Sequence, residues 1–383
     1  MALPISKETL FSLISEHLAL IAGIFVLAFF ANNYFYKGLH KVPGPFLGAL
    51  TNWYRIYYVI VGRRQDANQN RMHEKYGDVV RYGPNLVSFS NPNALKDIYG
   101  IGTPLTKSPY YLPFQAMSKG RAFAALFTLL ENKPHSDLRR TVASCFSGTS
   151  IVSLEPLVNP VIERWIEQTK RIYVKENKIC NVTWWMQLFA FDVVTNLMYS
   201  TTHGMVEKHE DVDGIVSWLD WMFDYISVVC QMPILDQFIN KNPIQRFLEL
   251  SGLRTPTFAT VAFAKKRIAE RISKDPSLIP TQDGMRSDIL TQMMENGKKH
   301  PQILTEKMIT SQSVSIAFAG SDNTAVTITA IIYFLLKNPR AYQKLMVELD
   351  DAAANGPKNS PISTLALKKH SVSTLPWAVF SNA

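Results

Sequence analysis

Residues 313–336, SVSIAFAGSDNTAVTITAIIYFLL, decide the fold of this chain. The stretch holds a single charged side chain, Asp322, and is apolar on nearly every side when it is wound as a helix. A helix of that kind lies in the centre of a large domain or in a membrane. Thr305 is a suitable N-cap and Pro339 cannot continue a helix, so the sequence predicts one long helix from Thr305 to Asn338.

Small residues surround Asp322 in the middle of this helix. Burying a carboxylate costs free energy unless the carboxylate has a partner or a function, and the charge also argues against a second membrane span. The small neighbours leave room for a large group to approach the backbone. They are Ala317, Ala319, Gly320 and Ser321. This combination is the strongest functional hint in the sequence.

Helical periods dominate the chain beyond Pro134. Residues at i, i+4, i+7, i+11 and i+14 from Trp184 predict a helix with one core-facing side. Residues 155–175 and 258–274 also predict helices, whereas residues 78–90 alternate around Gly83-Pro84 and predict two short strands joined by a turn. The fold class that follows is mainly α with a small β-sheet. The core-facing set is Trp184, Leu188, Phe191, Thr195 and Met198.

Residues 18–36, LALIAGIFVLAFFANNYFY, contain no charged side chain and have the length of about 20 residues that a bilayer-spanning helix needs. A cleaved signal peptide is the alternative, but no small-x-small cleavage site followed by a polar segment comes after the stretch. Lys37 and Lys41 follow directly, so the positive-inside rule places the body of the protein in the cytosol. The sequence therefore predicts a lumenal amino terminus (1–17), a transmembrane anchor (18–36), a proline-rich hinge (37–45) and one domain (46–383).

The net charge of +9 and the pI near 9.3 raise the question of which partners the protein binds. Lys and Arg are spread thinly and form no arginine-rich block with interleaved aromatic residues, so the sequence predicts no binding of nucleic acid. Anionic lipid headgroups and an acidic protein partner both fit such a composition. The charge alone does not choose between them.

The cysteines are Cys145, Cys180 and Cys230, an odd number without CxxC spacing. They indicate neither a disulfide framework nor a zinc site, and a reducing compartment is expected for the bulk of the chain. Asn181-Val182-Thr183 is a glycosylation sequon that matters only on a lumenal surface, so Asn181 is expected to stay unmodified. Each cysteine is interpreted as a small buried hydrophobic residue.

The stretch Ala319-Gly320-Ser321-Asp322-Asn323-Thr324 is similar to the oxygen-binding motif of the long helix in cytochromes P-450. That motif reads Ala or Gly, then Gly, any residue, an acid, Thr, and finally Thr or Ser, and five of the six positions match. Other features of the family precede it in order: the anchor, the proline-rich Val42-Pro43-Gly44-Pro45, the strand pair KYGDVVRYGPNLVSF, and His-x-x-x-Arg at His135 and Arg139. On this ordered agreement the chain resembles a membrane-anchored cytochrome P-450.

The resemblance implies a role for each position of the motif. Ala319 and Gly320 would leave room for the face of haem b and for dioxygen, with a local distortion of the helix that frees backbone groups for water. Asp322 would belong to the proton-delivery route. Asn323 stands where the family has threonine, and its amide can donate a hydrogen bond but relays protons poorly. Thr324 lies one residue further, about 100° around the helix.

Two other segments take roles from the resemblance. His135 and Arg139 would clasp a haem propionate from one face of a helix; an ordinary basic helix surface is the alternative. Residues 110–127 would lie near the substrate mouth. Their apolar side chains Phe114, Met117 and Phe123 suit an apolar ligand and equally suit plain core packing.

The carboxy-terminal part departs from the family. The family has a Glu-x-x-Arg helix after the long helix, and then a glycine-rich loop whose cysteine thiolate binds iron. Neither pattern occurs here, although Leu375-Pro376-Trp377 resembles the approach to them. The interpretation is a cytochrome P-450 fold that lacks its carboxy-terminal quarter and its axial cysteine, through a real truncation or a faulty gene model around residues 365–383.

The activity implied by the resemblance is insertion of one oxygen atom from O₂ into an apolar organic substrate. NADPH-cytochrome reductase would supply electrons, and the protein would be a single-pass protein of the endoplasmic reticulum membrane, in contact with lipid and belonging to fungal secondary metabolism. The alternative is a catalytically inactive membrane protein that lacks the haem-ligating cysteine. Substrate, regiochemistry and pathway are not readable from the residues.

Overall fold

A computed structural model describes residues 7–100, 102–118, 121–253, 259–273 and 288–355. The chain divides into two compact units, Met1–Pro113 with Asp224–Ile239, and Phe114–Phe223 with Asn240–Ala383. The segment 365–383, in which the sequence suggested a truncation, lies outside the described residues.

Helices make up most of both units, and short strands form two hairpins. The first part of the chain contains α1 (Lys7–Phe35), α2 (Phe46–Leu50), α3 (Trp53–Ile60), α4 (Gln65–Tyr76), β1 (Val79–Gly83), β2 (Leu86–Phe89), α5 (Ala94–Tyr99), β3 (Ala116–Ser118) and β4 (Arg121–Phe123). Helices follow: α6 (Asn132–Val142), α7 (Gly148–Ser153), α8 (Glu155–Thr169), α9 (Val182–Tyr199), α10 (Met205–Lys208), α11 (Ile215–Val229), α12 (Ile234–Ile239), α13 (Pro243–Leu250), α14 (Ala259–Ile272), α15 (Ile289–Lys299), α16 (Glu306–Lys337) and α17 (Pro339–Asn355).

The predicted fold class, mainly α with a small sheet, is confirmed. Strands β1 and β2 pair antiparallel with Val79 opposite Phe89, as the alternation over residues 78–90 predicted. At the turn a Cβ on Gly83 would come within 2.9 Å of the Leu86 Cβ, so only glycine fits there without a shift. A second hairpin, β3 with β4, was not predicted because strands of three residues leave no readable period.

Helix α1 begins at Lys7, upstream of the predicted start at Leu18. It ends at Phe35, and a 3-10 helix (Tyr36–Lys41) with a break at Lys37 and Gly38 follows. Two described helices, α1 and α16, are long and apolar enough to cross a membrane, a test that core helices and signal sequences also pass. No residue of the apolar window in α1 is buried, whereas α16 packs against α9, α14 and α15.

Helices α9 and α16 form the centre of the second unit. The side of α9 predicted to face the core is buried from Leu188 to Met198, and Trp184 is partly buried. Side chains on its other sides are buried too, among them Trp185 and Ala190. Hydrophobic periodicity did not predict the burial of these other sides. A helix that is apolar on all sides has no polar stripe from which its core-facing side can be recognised.

A buried ion pair joins α14 to the start of α15. The Arg271 guanidinium donates to the Asp288 carboxylate at 2.7 Å, and the side chain of Asp288 is 1% exposed. The second Asp288 oxygen accepts from the backbone N–H of Thr291 at 2.9 Å and so caps α15. Ser200, just after α9, donates its hydroxyl to the same carboxylate. One acid therefore ties three helices together, which the sequence alone did not reveal.

Candidate active site

The AGSDNT motif lies in the middle of α16, which starts and ends where the sequence predicted. The Thr305 hydroxyl accepts from the backbone N–H of Met308 at 3.3 Å, and Pro339 begins the next helix. Helix α16 runs without a break from Glu306 to Lys337, and a local distortion of the helix at the motif stays a prediction. Side chains of the motif bond to carbonyls one turn back: the Ser321 hydroxyl donates to the Ala317 carbonyl at 3.0 Å.

The two small residues of the motif point in different directions. A Cβ added to Gly320 would lie 2.8 Å from Cγ2 of Val194, so Gly320 is the point where α16 closes onto α9. Ala319 is exposed on another side of the helix. The close contact with Val194 thus accounts for a glycine at position 320. That Ala319 and Gly320 leave room for haem stays a prediction.

Asp322 is partly buried and points toward a glutamine on α9. The Gln187 amide donates to the Asp322 carboxylate at 3.4 Å and to the Asp220 carboxylate of α11 at the same distance. Both hydrogen bonds are long and therefore weak, so they help to orient the two carboxylates but contribute little to stability. Gln187 and Asp220 were missed from sequence because they are distant in the chain and belong to no motif.

Asn323 and Thr324 both face outward from α16 and are exposed. The Asn323 amide donates to the Ala319 carbonyl at 3.2 Å, one turn back along the helix. The backbone carbonyl of Asn323 in turn accepts from the Thr327 hydroxyl. One of the two amide N–H groups of Asn323 is therefore engaged within the helix.

His135 and Arg139 lie one turn apart on α6, as their spacing predicted. His135 is partly buried and Arg139 is exposed. Asp137 binds the neighbouring bases Lys133 and Arg140, whereas Arg139 forms no ion pair with any residue that the structure describes. Their joint role toward a propionate stays a prediction.

An aromatic cavity of about 40 Å³ lies beside the amino-terminal half of α16. Phe114 and Phe123 line it, whereas Met117 belongs to the buried core, and the place of residues 110–127 near a substrate mouth stays a prediction. The volume has room for a few water molecules. Trp218 and Met222, which lie outside the segments that the sequence singled out, also line the cavity. The other apolar lining residues are Ala125, Phe127, Val314 and Phe318.

Comparison with known proteins decides the family. The family model for cytochrome P-450 matches residues 43–367. The chain belongs to the cytochrome P-450 family. Its classification as an oxidoreductase by family is thereby confirmed.

Curated cytochromes P-450 from fungi are similar to this chain over most of its length. The cytochrome P-450 monooxygenase cicH of Emericella nidulans is 31% identical over 345 residues, which cover 88% of this chain and 67% of that protein. A cytochrome P-450 monooxygenase of Aspergillus terreus is 32% identical, covering 84% of this chain and 64% of that protein. The monooxygenase vrtE of Penicillium aethiopicum is 30% identical, covering 86% and 61%. The chain thus spans a little under two thirds of the length of most of these relatives.

The family implies a haem held by a cysteine thiolate, and the cysteines of this chain do not fit that role. Cys145 and Cys230 are buried in the protein interior. Burial raises the pKa of the Cys180 thiol, although the Tyr173 hydroxyl beside it acts in the opposite direction. A thiolate ligand needs a lowered pKa and open space for a flat macrocycle. The donor set of these 383 residues therefore does not fit a haem-thiolate centre.

Proposed function

We propose that this chain is the larger part of a haem monooxygenase that inserts one oxygen atom from O₂ into an apolar organic substrate. When bound, the haem supplies the oxidation chemistry and the protein supplies position and electrostatics. The observation that carries the proposal is the family match over residues 43–367. The AGSDNT motif lies on the unbroken helix α16, and the amino-terminal half of that helix borders the aromatic cavity.

The residues of this chain would form the wall that faces the substrate. Phe114, Phe123 and Phe318 give the cavity an apolar lining. The polar side chains that line it are those of Thr128, Ser311 and Ser315. Such a lining favours an apolar molecule oriented by one or two hydrogen bonds.

Asp322 is the single acid in the apolar stretch 313–336 of α16 and would belong to the proton-delivery route. The Gln187 amide donates to the carboxylates of both Asp322 and Asp220, so the two acids share one amide donor. In the complete protein we place the body in the cytosol and the anchor in the endoplasmic reticulum membrane. NADPH-cytochrome reductase would be the electron donor and lipid the surrounding partner.

The iron ligand would come from a cysteine outside these 383 residues. The burial of Cys145 and Cys230 supports this origin of the ligand. Exposed apolar side chains on α16 and α17 also support it, because they form a surface that another segment could cover. These side chains include Val326, Tyr333, Leu336 and Val347. The same observations favour the second candidate, an inactive membrane protein, if no such segment exists.

Mixing the purified chain with hemin, dithionite and carbon monoxide tests the proposal. We expect no Soret band of the thiolate-ligated type, because no thiol of this chain fits the iron. Spectra of Cys145→Ser, Cys180→Ser and Cys230→Ser should match that of the unaltered chain. A thiolate-type band that one of these substitutions removes would overturn the assignment of the ligand to another segment.

A further inference from the structure

Two lysine ammonium groups lie against a ring that lines the aromatic cavity. Nζ of Lys307 lies 4.6 Å from the centroid of the Phe123 ring, and Nζ of Lys265 lies 6.0 Å from the same centroid. Both distances are within the range of a cation–π contact. Because Phe123 also lines the cavity, an apolar space and a pair of positive charges adjoin each other at this ring.

The two lysines belong to different helices of the second unit. Lys265 lies in the middle of α14 and is half-buried, whereas Lys307 lies in the first turn of α16 and is exposed. Helix α14 packs against α16, and β4, which carries Phe123, packs against α16 as well. The packing of three elements therefore holds both ammonium groups near one ring. Like charges repel each other there, and an anion between them would be stabilised.

The acidic residues on the same stretches of helix do not neutralise Lys307. Glu270, the single acid of α14, is already paired with Arg267 at 3.0 Å. Glu306 directly precedes Lys307 and is exposed, but Lys307 forms no ion pair with any residue that the structure describes. The Lys307 ammonium is therefore available to an anion that reaches the cavity.

The wall of the cavity offers a ligand mainly aromatic surface. Most of its polar side chains already have backbone partners: the Thr128 hydroxyl accepts from the Ala125 N–H at 2.8 Å and lies 3.3 Å from the Ala125 carbonyl. The Ser311 hydroxyl donates to the Phe123 carbonyl at 3.4 Å. The strongest polar partners for a ligand in the cavity are therefore the two ammonium groups beside the Phe123 ring.

We propose that this cavity takes an apolar substrate that carries a carboxylate. The apolar end lies among the aromatic side chains, and the carboxylate accepts charge-assisted hydrogen bonds from the ammonium groups of Lys265 and Lys307. The inference rests on the proposed function, since it names the substrate class of that monooxygenase. It concerns the binding of the substrate alone and not the insertion of oxygen.

Quenching of tryptophan fluorescence tests the substrate class, because Trp218 lines the cavity. The full 383-residue chain in neutral detergent is titrated with para-nitrobenzoate, whose nitroaromatic ring quenches tryptophan, and with para-nitrobenzamide, which has a similar shape and no charge. We expect para-nitrobenzoate to bind about tenfold more tightly, because only the carboxylate gains charge-assisted hydrogen bonds from the lysines. Equal affinities for the two ligands would overturn the proposal.

Lys307→Met and Lys265→Met test the two ammonium groups separately. Each substitution keeps an unbranched apolar side chain beside Phe123 and removes the positive charge. We expect each variant to bind para-nitrobenzoate about fivefold more weakly than the unaltered chain does, with no change for para-nitrobenzamide. Unchanged affinity for para-nitrobenzoate in both variants would contradict the role of the lysines.

Lys266→Met is the matched control, because Lys266 is the exposed neighbour of Lys265 on α14 and its loss changes the net charge by the same amount. It should leave the affinity for both ligands unchanged. A loss of para-nitrobenzoate affinity as large as that in Lys307→Met would mean that the net charge of the protein attracts the ligand. That result would overturn the assignment of the carboxylate to Lys265 and Lys307.

Ser315→Leu tests whether the ring of the ligand enters the cavity. Ser315 lines the cavity and is half-buried, so a larger side chain would fill the space and should abolish the binding of both ligands. If Ser315→Leu does not fold, competition with inorganic phosphate makes the same distinction, because phosphate has the charge but no ring. Full binding in a folded Ser315→Leu variant, or displacement of para-nitrobenzoate by an equal concentration of phosphate, would indicate a simple anion site and overturn the proposal. None of these binding results bears on the monooxygenase assignment, which the carbon-monoxide spectrum tests separately.

Discussion

Asp288→Ala is expected to lower the free energy of unfolding of the second unit by about 3–5 kcal/mol, because it leaves a buried guanidinium without its carboxylate. The substitution also removes the N-cap of α15, since the Asp288 side chain accepts from the Thr291 N–H. The Arg271 side chain is 10% exposed and keeps the Tyr199 carbonyl and the Thr291 hydroxyl as acceptors, but neither carries a charge.

Denaturant unfolding followed by far-UV circular dichroism in detergent measures this loss. The matched control is Asp66→Ala, which breaks the Arg64–Asp66 pair, where both side chains are exposed. Exposed pairs contribute little, so no measurable change is expected there. Similar losses in both variants would mean that Asp288 is not buried in the way described.

Gly320→Val is expected to destabilise the protein by about 1–3 kcal/mol, because overpacking a close helix contact forces the neighbouring side chain or backbone to move. The new Cβ would lie 2.8 Å from Cγ2 of Val194, and that β-branched side chain has few rotamers into which it can retreat. The improved helix propensity of valine over glycine offsets only a few tenths of a kcal/mol.

Ala319→Val, one residue earlier, supplies the control. Ala319 is exposed, so the substitution should cost about 0.5 kcal/mol from helix propensity alone. The comparison is again made by denaturant unfolding. If both substitutions cost the same, α16 does not approach α9 through Gly320.

The long helix could be predicted from sequence because its signals are local. Thr305 caps it through a residue three positions away, and Pro339 follows its end. The hairpin at 78–90 was readable for the same reason, since its turn and alternation lie within a few residues. Patterns of this kind depend on residues only a few positions apart in the sequence.

The surroundings of the motif were not predictable because they depend on contacts between distant residues. Gln187 reaches Asp322 from α9, and Trp218 joins the aromatic cavity from α11. The exposed side of α3 was equally hidden, because nothing in the sequence says that Trp53 and Tyr57 are exposed while Arg55 is buried. Arg81 reads as a surface residue of a strand, but it is buried, and its guanidinium donates to the Tyr34 carbonyl at the end of α1 and to the Pro84 carbonyl in the hairpin turn.

The central claim is our proposal that these residues are the larger part of a haem monooxygenase whose iron ligand lies in a further segment. A fusion of residues 1–367 to the carboxy-terminal third of the similar Emericella nidulans monooxygenase tests it most directly, by the spectrum of the reduced, carbon-monoxide-bound protein. We predict a Soret band of the thiolate-ligated type in the fusion and none in the 383-residue chain. A folded, membrane-bound fusion without that band, or the band in the 383-residue chain alone, would contradict the account.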